Sequence, residues 1–182
     1  MKTNNIRIRL IIIITCMMAF ILMPFHGFSV EAPEYTIKSI FIKKIIKYIT
    51  WPDNSFNSSD NAINLCFVEE NEFLDAFDTL KDKSSKDRPI YLKNYWLSSQ
   101  TCHILFINSK NRKLVESILS KVKNMPVLTI GEMEGFVELG GIINFIKESD
   151  KIRFEINIDS AKRSGFTISS HLLKLSKIFR EE

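Results

Sequence analysis

Histidine, cysteine and glycine are scarce in this 182-residue chain, which holds 3, 3 and 6 of them. Each scarcity removes a class of function. A zinc centre needs several Cys or His ligands at close spacing, and beyond the first thirty residues only Cys66, Cys102, His103 and His171 remain. On a strand, Cys102 and His103 point to opposite faces and cannot form a thiolate–imidazole pair. No G-x-x-x-x-G-K loop, G-x-S-x-G elbow or H-E-x-x-H helix occurs. The single glycine pair, Gly140-Gly141, leads into a strand and so cannot aim helix-end amides at a phosphate. A backbone position of unusual torsion is the simpler account. The acidic groupings (Glu69-Glu70, Glu132 with Glu134, Asp150, Glu181-Glu182) fall in loops or at chain ends and read as solvated surface. Nothing fixes two of them at a separation suited to glycoside cleavage. The expectation is a non-enzyme with no catalytic residue, no metal and no cofactor.

Charge of one sign is also missing once the first residues are set aside. Lys2, Arg7 and Arg9 precede Leu10 to Met23, an unbroken uncharged run; Pro24 ends it, and Gly27 and Ser29 follow as small residues two apart. This is the layout of a secretory signal peptide, with cleavage expected after Ser29. The alternative, an uncleaved anchor, fits poorly, because 14 helical residues rise only about 21 Å of a hydrocarbon core roughly 30 Å thick. A lipoprotein reading fits poorly too, since Thr15 rather than a small residue precedes Cys16. Without Lys2, Arg7 and Arg9 the 25 basic residues fall to 22, against 21 acidic ones, so the net charge drops from +4 to +1. The composition-level case for nucleic-acid binding goes with it. Residues 1–29 are thus expected to be a signal peptide and 30–182 a single periplasmic domain, with no stable membrane insertion after cleavage.

Two cysteines in an exported chain read first as a disulfide; two buried free thiols are the alternative. The remaining pattern alternates helices and strands. Tyr35 to Ile49 repeats apolar residues at helical spacing (Ile37, Ile40, Phe41, Ile45, Tyr48, Ile49), with lysines 38, 43, 44 and 47 taken as the wet side. Trp51-Pro52 ends it. Strands are expected at Ile63–Val68, Pro89–Leu92 (an edge), His103–Ile107 and Pro126–Ile130. Helices are expected at Glu72–Leu80 and, capped by Asn108 or Ser109, through Leu114 to Val122. Ile142–Lys147 and Lys151–Ile158 form a hairpin around Ser149-Asp150. In its second strand Ile152, Phe154, Ile156 and Ile158 face inward, and Arg153, Glu155 and Asn157 face water. Asp159 is expected to cap a short helix stopping at Gly165, and Ser169 a last helix with Leu172, Leu173, Leu175, Ile178 and Phe179 inward. The predicted fold is α/β: a single-domain, mostly parallel sheet flanked by helices, with a C-terminal antiparallel hairpin. Trp51 reads as a core plug. Trp96, in a polar stretch, and His171, near the start of the last helix, are the candidate ligand or partner contacts, although a solvated or capping histidine is the ordinary explanation for the latter. The lysine side of the first helix could meet an anionic membrane or partner, but a solvated amphipathic helix on a sheet is the better explanation.

Several segments together resemble the YfiR family of small periplasmic proteins: Tyr48-Ile49-Thr50-Trp51-Pro52, Asn64-Leu65-Cys66-Phe67-Val68, Thr101-Cys102-His103-Ile104-Leu105-Phe106-Ile107, Val127-Leu128-Thr129-Ile130, Gly135-Phe136, Gly140-Gly141-Ile142-Ile143-Asn144-Phe145, Arg153-Phe154-Glu155-Ile156-Asn157 and Gly165-Phe166-Thr167-Ile168-Ser169-Ser170-His171-Leu172-Leu173. No one block is specific; the ordered set is. The resemblance implies an α/β fold in the periplasm and a regulator that restrains a membrane-bound diguanylate cyclase through its periplasmic sensor domain, lowering cyclic di-GMP, exopolysaccharide and biofilm. Other members accompany histidine kinases. Cys66 and Cys102 fall where the family carries cysteines; the second cysteine pair of the type member is absent here, and with it any redox switching through that pair. The competing expectation is a small-ligand receptor acting with a histidine kinase or transporter. A homodimer is compatible with the sequence and not required by it.

Overall fold

The computed structural model describes residues 34–56, 62–68, 76, 88–93, 102–149 and 151–181. The elements run α1 (Glu34–Lys47), β1 (Ile49–Thr50), a 3₁₀ turn (Asp53–Ser55), β2 (Ile63–Phe67), β3 (Ile90–Lys93), β4 (Ile104–Ile107), α2 (Arg112–Val122), β5 (Leu128–Gly131), β6 (Ile143–Glu148), β7 (Lys151–Asn157), α3 (Ile158–Arg163), β8 (Thr167–Ile168), α4 (Ser170–Leu173) and β9 (Lys177–Phe179). Seven strands form one sheet in the order β3-β2-β4-β5-β6-β7-β9, and β1 pairs with β8 in a separate two-stranded ribbon. Every neighbouring pair in the large sheet is parallel except the β6–β7 hairpin. The fold is the expected α/β one, with the hairpin around Ser149, which takes a left-handed conformation (φ 47°). The helix expected at 72–80 lies outside the described residues apart from Ala76, which is helical.

Strand alternation sorts the central side chains onto two faces. Leu65, Phe67, Ile104, Phe106, Leu128 and Ile130 pack with α1 through Ile42, Ile45 and Ile46. Cys66, Leu105 and Ile107 pack with α2 through Val115, Ile118, Leu119 and Val122. Both faces of β2 and β4 are therefore dry, as continuous apolar runs require.

Four local expectations change. The buried side of α1 is turned from the predicted stripe: Ile40 is 50% exposed, while Lys38 and Ser39 are buried. Lys38 belongs inside because its ammonium meets two carboxylates, Glu34 one helical turn back and Glu132, which helical spacing cannot display. The last helix is a single turn, and Lys177–Phe179 continues as a strand parallel to β7, with Ile156 opposite Ile178. The open edge of β7 supplies backbone partners that a longer helix would forgo, and Leu175 and Ile178 end up exposed, not inward. Asn111, not Asn108 or Ser109, caps α2, its side chain accepting the Leu114 N–H, while Ser109 Oγ accepts the Asn111 N–H. Asn157, not Asp159, caps α3 by accepting the N–H groups of Asp159 and Ser160. Ser169 caps α4 as expected.

The glycine pair works through close packing as well as torsion. Gly140 has φ 93°. Gly141 and Gly131 both lie flat against the fully buried ring of Phe136, so a methyl at either position would overlap that ring. Gly141→Ala is expected to overpack this site and lower stability by about 1–3 kcal/mol, read as a lowered urea midpoint with an unchanged m-value.

Candidate functional site

Cys66, at the centre of β2, and Cys102, just before β4, are joined by a disulfide with Cα atoms 5.9 Å apart. Both are buried on the α2 side of the sheet. His103 points to the other face, as strand geometry predicts. It is 4% exposed and stacks on Phe56 at 4.6 Å, with Trp51 edge-on. Its Nδ1 accepts the Asn64 N–H and its Nε2 meets the Ser55 carbonyl, each at 2.9 Å. A carbonyl can only accept, so the ring is neutral with its proton on Nε2. This histidine splices β2 to the Trp51–Phe56 turn and leaves no ring nitrogen for a ligand. Trp51 fills the predicted plug position against Phe56 and Phe166; its buried indole N–H finds no acceptor among the described residues.

Of the two candidate contacts, Trp96 lies outside the described residues. His171 is exposed on α4 and rests on the ring of Tyr48, centroids 5.0 Å apart. The β1–β8 ribbon and a hydrogen bond from Ser169 N–H to the Tyr48 carbonyl hold that pair together. His171 borders neither of the two cavities described below.

Two recesses are charged. One, of about 350 Å³, is bordered by Glu34, Glu132, Lys38, Lys110 and Lys147. Burial alone would lower the Lys38 pKa, but hydrogen bonds from its ammonium to Glu132 and Glu34, each 2.5 Å, outweigh it and the net shift is upward. Two carboxylates already engage the Lys38 ammonium, so this cation is committed within the fold.

The other is different. Asn157 is fully buried and Ser160 nearly so, while Arg163 is about one-third exposed; all three meet the carboxylate of Glu181. Arg163 binds it in bidentate fashion, Nη1 to Oε2 at 2.5 Å and Nη2 to Oε1 at 2.6 Å. Asn157 Nδ2 donates to Oε1 at 2.9 Å, and Ser160 Oγ lies 3.1 Å from the same oxygen. The Glu181 N–H donates to Asp159. Charge-assisted forked contacts of this kind are the strong ones. Arg163 holds the Glu181 carboxyl down at about 2, against a burial cost that would raise it, with Asn157 and Ser160 adding to the fall. Beside this clasp opens a cavity of about 320 Å³ whose wall includes Thr129, Gly140, Ser160, Arg163, Ser164 and Glu181.

A family model described as YfiR/HmsC-like matches residues 35–177. The chain belongs to the YfiR/HmsC-like family. The match spans from α1 into β9 and agrees with the resemblance carried by the ordered sequence blocks. Members of the YfiR/HmsC-like family are generally non-catalytic regulators. Glu181 falls beyond the matched residues.

Sequence reasoning missed the clasp. Asn157 was expected on the wet side of a strand and Glu181 at a solvated end. The available signal was the spacing Asn157-x-x-Ser160-x-x-Arg163, which places three hydrogen-bonding side chains along one side of a helix beginning at its cap. Nothing in the local sequence shows that Glu181 returns to them, because β9 brings it back.

Removing the bridge with Cys66→Ala and Cys102→Ala together should cost about 4 kcal/mol for a loop closed over 36 residues. Reductant should lower the wild-type denaturation midpoint toward the variant's and leave the variant unmoved. For Glu181 the folded pKa lies below the ordinary value of 4.5. Its contribution to stability is therefore complete above that value and is lost as pH falls toward about 2. Glu181→Gln should remove this part of the acid-limb slope in a pH series of urea melts.

Proposed function

We propose that this chain is a periplasmic regulatory subunit that restrains an inner-membrane signalling protein by binding its periplasmic domain, with a diguanylate cyclase as the partner. Membership of the YfiR/HmsC-like family over residues 35–177 carries this reading. Two further features support it. Leu10 to Met23 has the pattern of an export signal, and the Cys66–Cys102 bridge suits an oxidising compartment. Binding of the inactive sensor conformation would lower output by no more than the difference in affinity between the two conformations. A second reading, a small-ligand receptor that relays occupancy to a histidine kinase or transporter, draws support from the cavity beside Arg163.

Deleting the gene should raise cellular cyclic di-GMP and biofilm mass. Supplying the exported protein should reverse both, and supplying the same chain without residues 1–29 should not. Unchanged cyclic di-GMP in the deletion strain, with no membrane cyclase recovered by in-cell crosslinking, would overturn the cyclase reading.

A further inference from the structure

The Glu181 clasp has the parts of a receptor for a carboxylate that does not belong to it. Asn157 and Ser160 are positioned independently of Glu181. The Asn157 amide also donates to the Val137 carbonyl at 2.9 Å, and its oxygen caps α3. Ser160 Oγ lies 3.0 Å from the Gly140 carbonyl and accepts from Arg163 Nη2 at 2.8 Å. Removing Glu181 would leave this framework in place, with an unmatched guanidinium on the cavity wall and a buried Asn157 amide proton that has lost its acceptor. Glu181 itself is held by these polar contacts and not by burial. Its side chain is 36% exposed, and only Arg180 separates it from the end of the three-residue strand β9. The matched family region stops at residue 177, four residues before Glu181.

We propose that Asn157, Ser160 and Arg163 form a binding site for a small organic carboxylate seated in the adjoining cavity, and that Glu181 is a tethered occupant which such a ligand displaces. This goes beyond the regulatory reading and does not depend on the identity of any membrane partner. A small molecule is preferred over an acidic segment of another protein because Ser160 and Arg163 border a cavity of about 320 Å³, near the lower end of the usual range for small-molecule pockets. The charged groups around the incoming carboxylate are Arg163 and Lys123, which attract it, and Asp159, Glu116 and Glu138, which do not. That balance selects a ligand of low negative charge. Displacement frees the Glu181 backbone from Asp159 and loosens the end of β9, so occupancy is converted into a change at the edge of the sheet.

The test uses the full mature chain, with acetate, benzoate and succinate as probes and acetamide and benzamide as neutral controls. Binding is read by calorimetry and by the side-chain amide NMR signals of Asn157. An internal competitor lowers apparent affinity by the fraction of sites it leaves open, so Glu181→Gln should tighten binding of the matching acid by about tenfold or more. Deletion of residues 181–182 should do the same and guards against a local effect of the new amide. Arg163→Ala in the Glu181→Gln background should abolish binding, and the neutral controls should not bind at all. Equal affinity in wild type and both tail variants, or binding that survives Arg163→Ala, would overturn the proposal. So would the absence of binding by any of the acids to the tail variants. Binding of an acidic peptide with none of the small acids would reassign the site to a protein partner and equally overturn it.

Discussion

The central parallel strands must be covered on both faces, and the rest of the molecule is arranged to meet that demand. β2 and β4 are completely buried, residue after residue, in the runs Ile63–Phe67 and Ile104–Ile107. Such strands cannot have a wet side, so one helix is needed above and another below. The alternation then decides the fate of each side chain: Leu65, Phe67, Ile104 and Phe106 serve the α1 side, while Cys66 and Leu105 serve the α2 side. The disulfide is placed by the same rule, since its two sulfurs had to reach one face from adjacent strands. His103 is its counterpart on the opposite face, polar but fully committed to backbone partners.

Much of this architecture was legible in the sequence because it rests on periodicity. Continuous apolar runs marked the buried strands, alternation marked β7, and Ser169 announced its cap. The parts that were not legible rest on contacts between distant residues. Lys38 looked like the wet side of a helix, since spacing alone cannot show Glu132 waiting 94 positions away. The segment after α4 carried Leu175, Ile178 and Phe179 among lysines at helical spacing, yet the unpaired edge of β7 claimed Lys177–Phe179 as a strand. Tertiary pairing outweighs a local preference worth only a fraction of a kcal/mol per residue.

The clasp failed to appear for a related reason. Asn157 sits at the junction of β7 and α3, where the alternation of a strand gives way to the turn of a helix. A period-two reading continues one residue too far and turns Asn157 outward. The buried cap joins three elements: it starts α3, ties down the Val137 carbonyl and meets the tail that follows β9. Polar groups buried at such junctions are kept because each partner is present, and their roles are fixed by topology rather than by neighbours in sequence.

Among the described residues the sheet ends in β3 on one side and β9 on the other, and both are brief, four and three residues long. Pro89 stands at the entrance of the first, and Lys93, Lys177 and Arg180 put positive charge along both margins. Strand borders built this way are poor templates for stacking one molecule on the next. These two borders of the sheet therefore resist polymerisation through their own backbone, whatever partner the side chains elsewhere recognise.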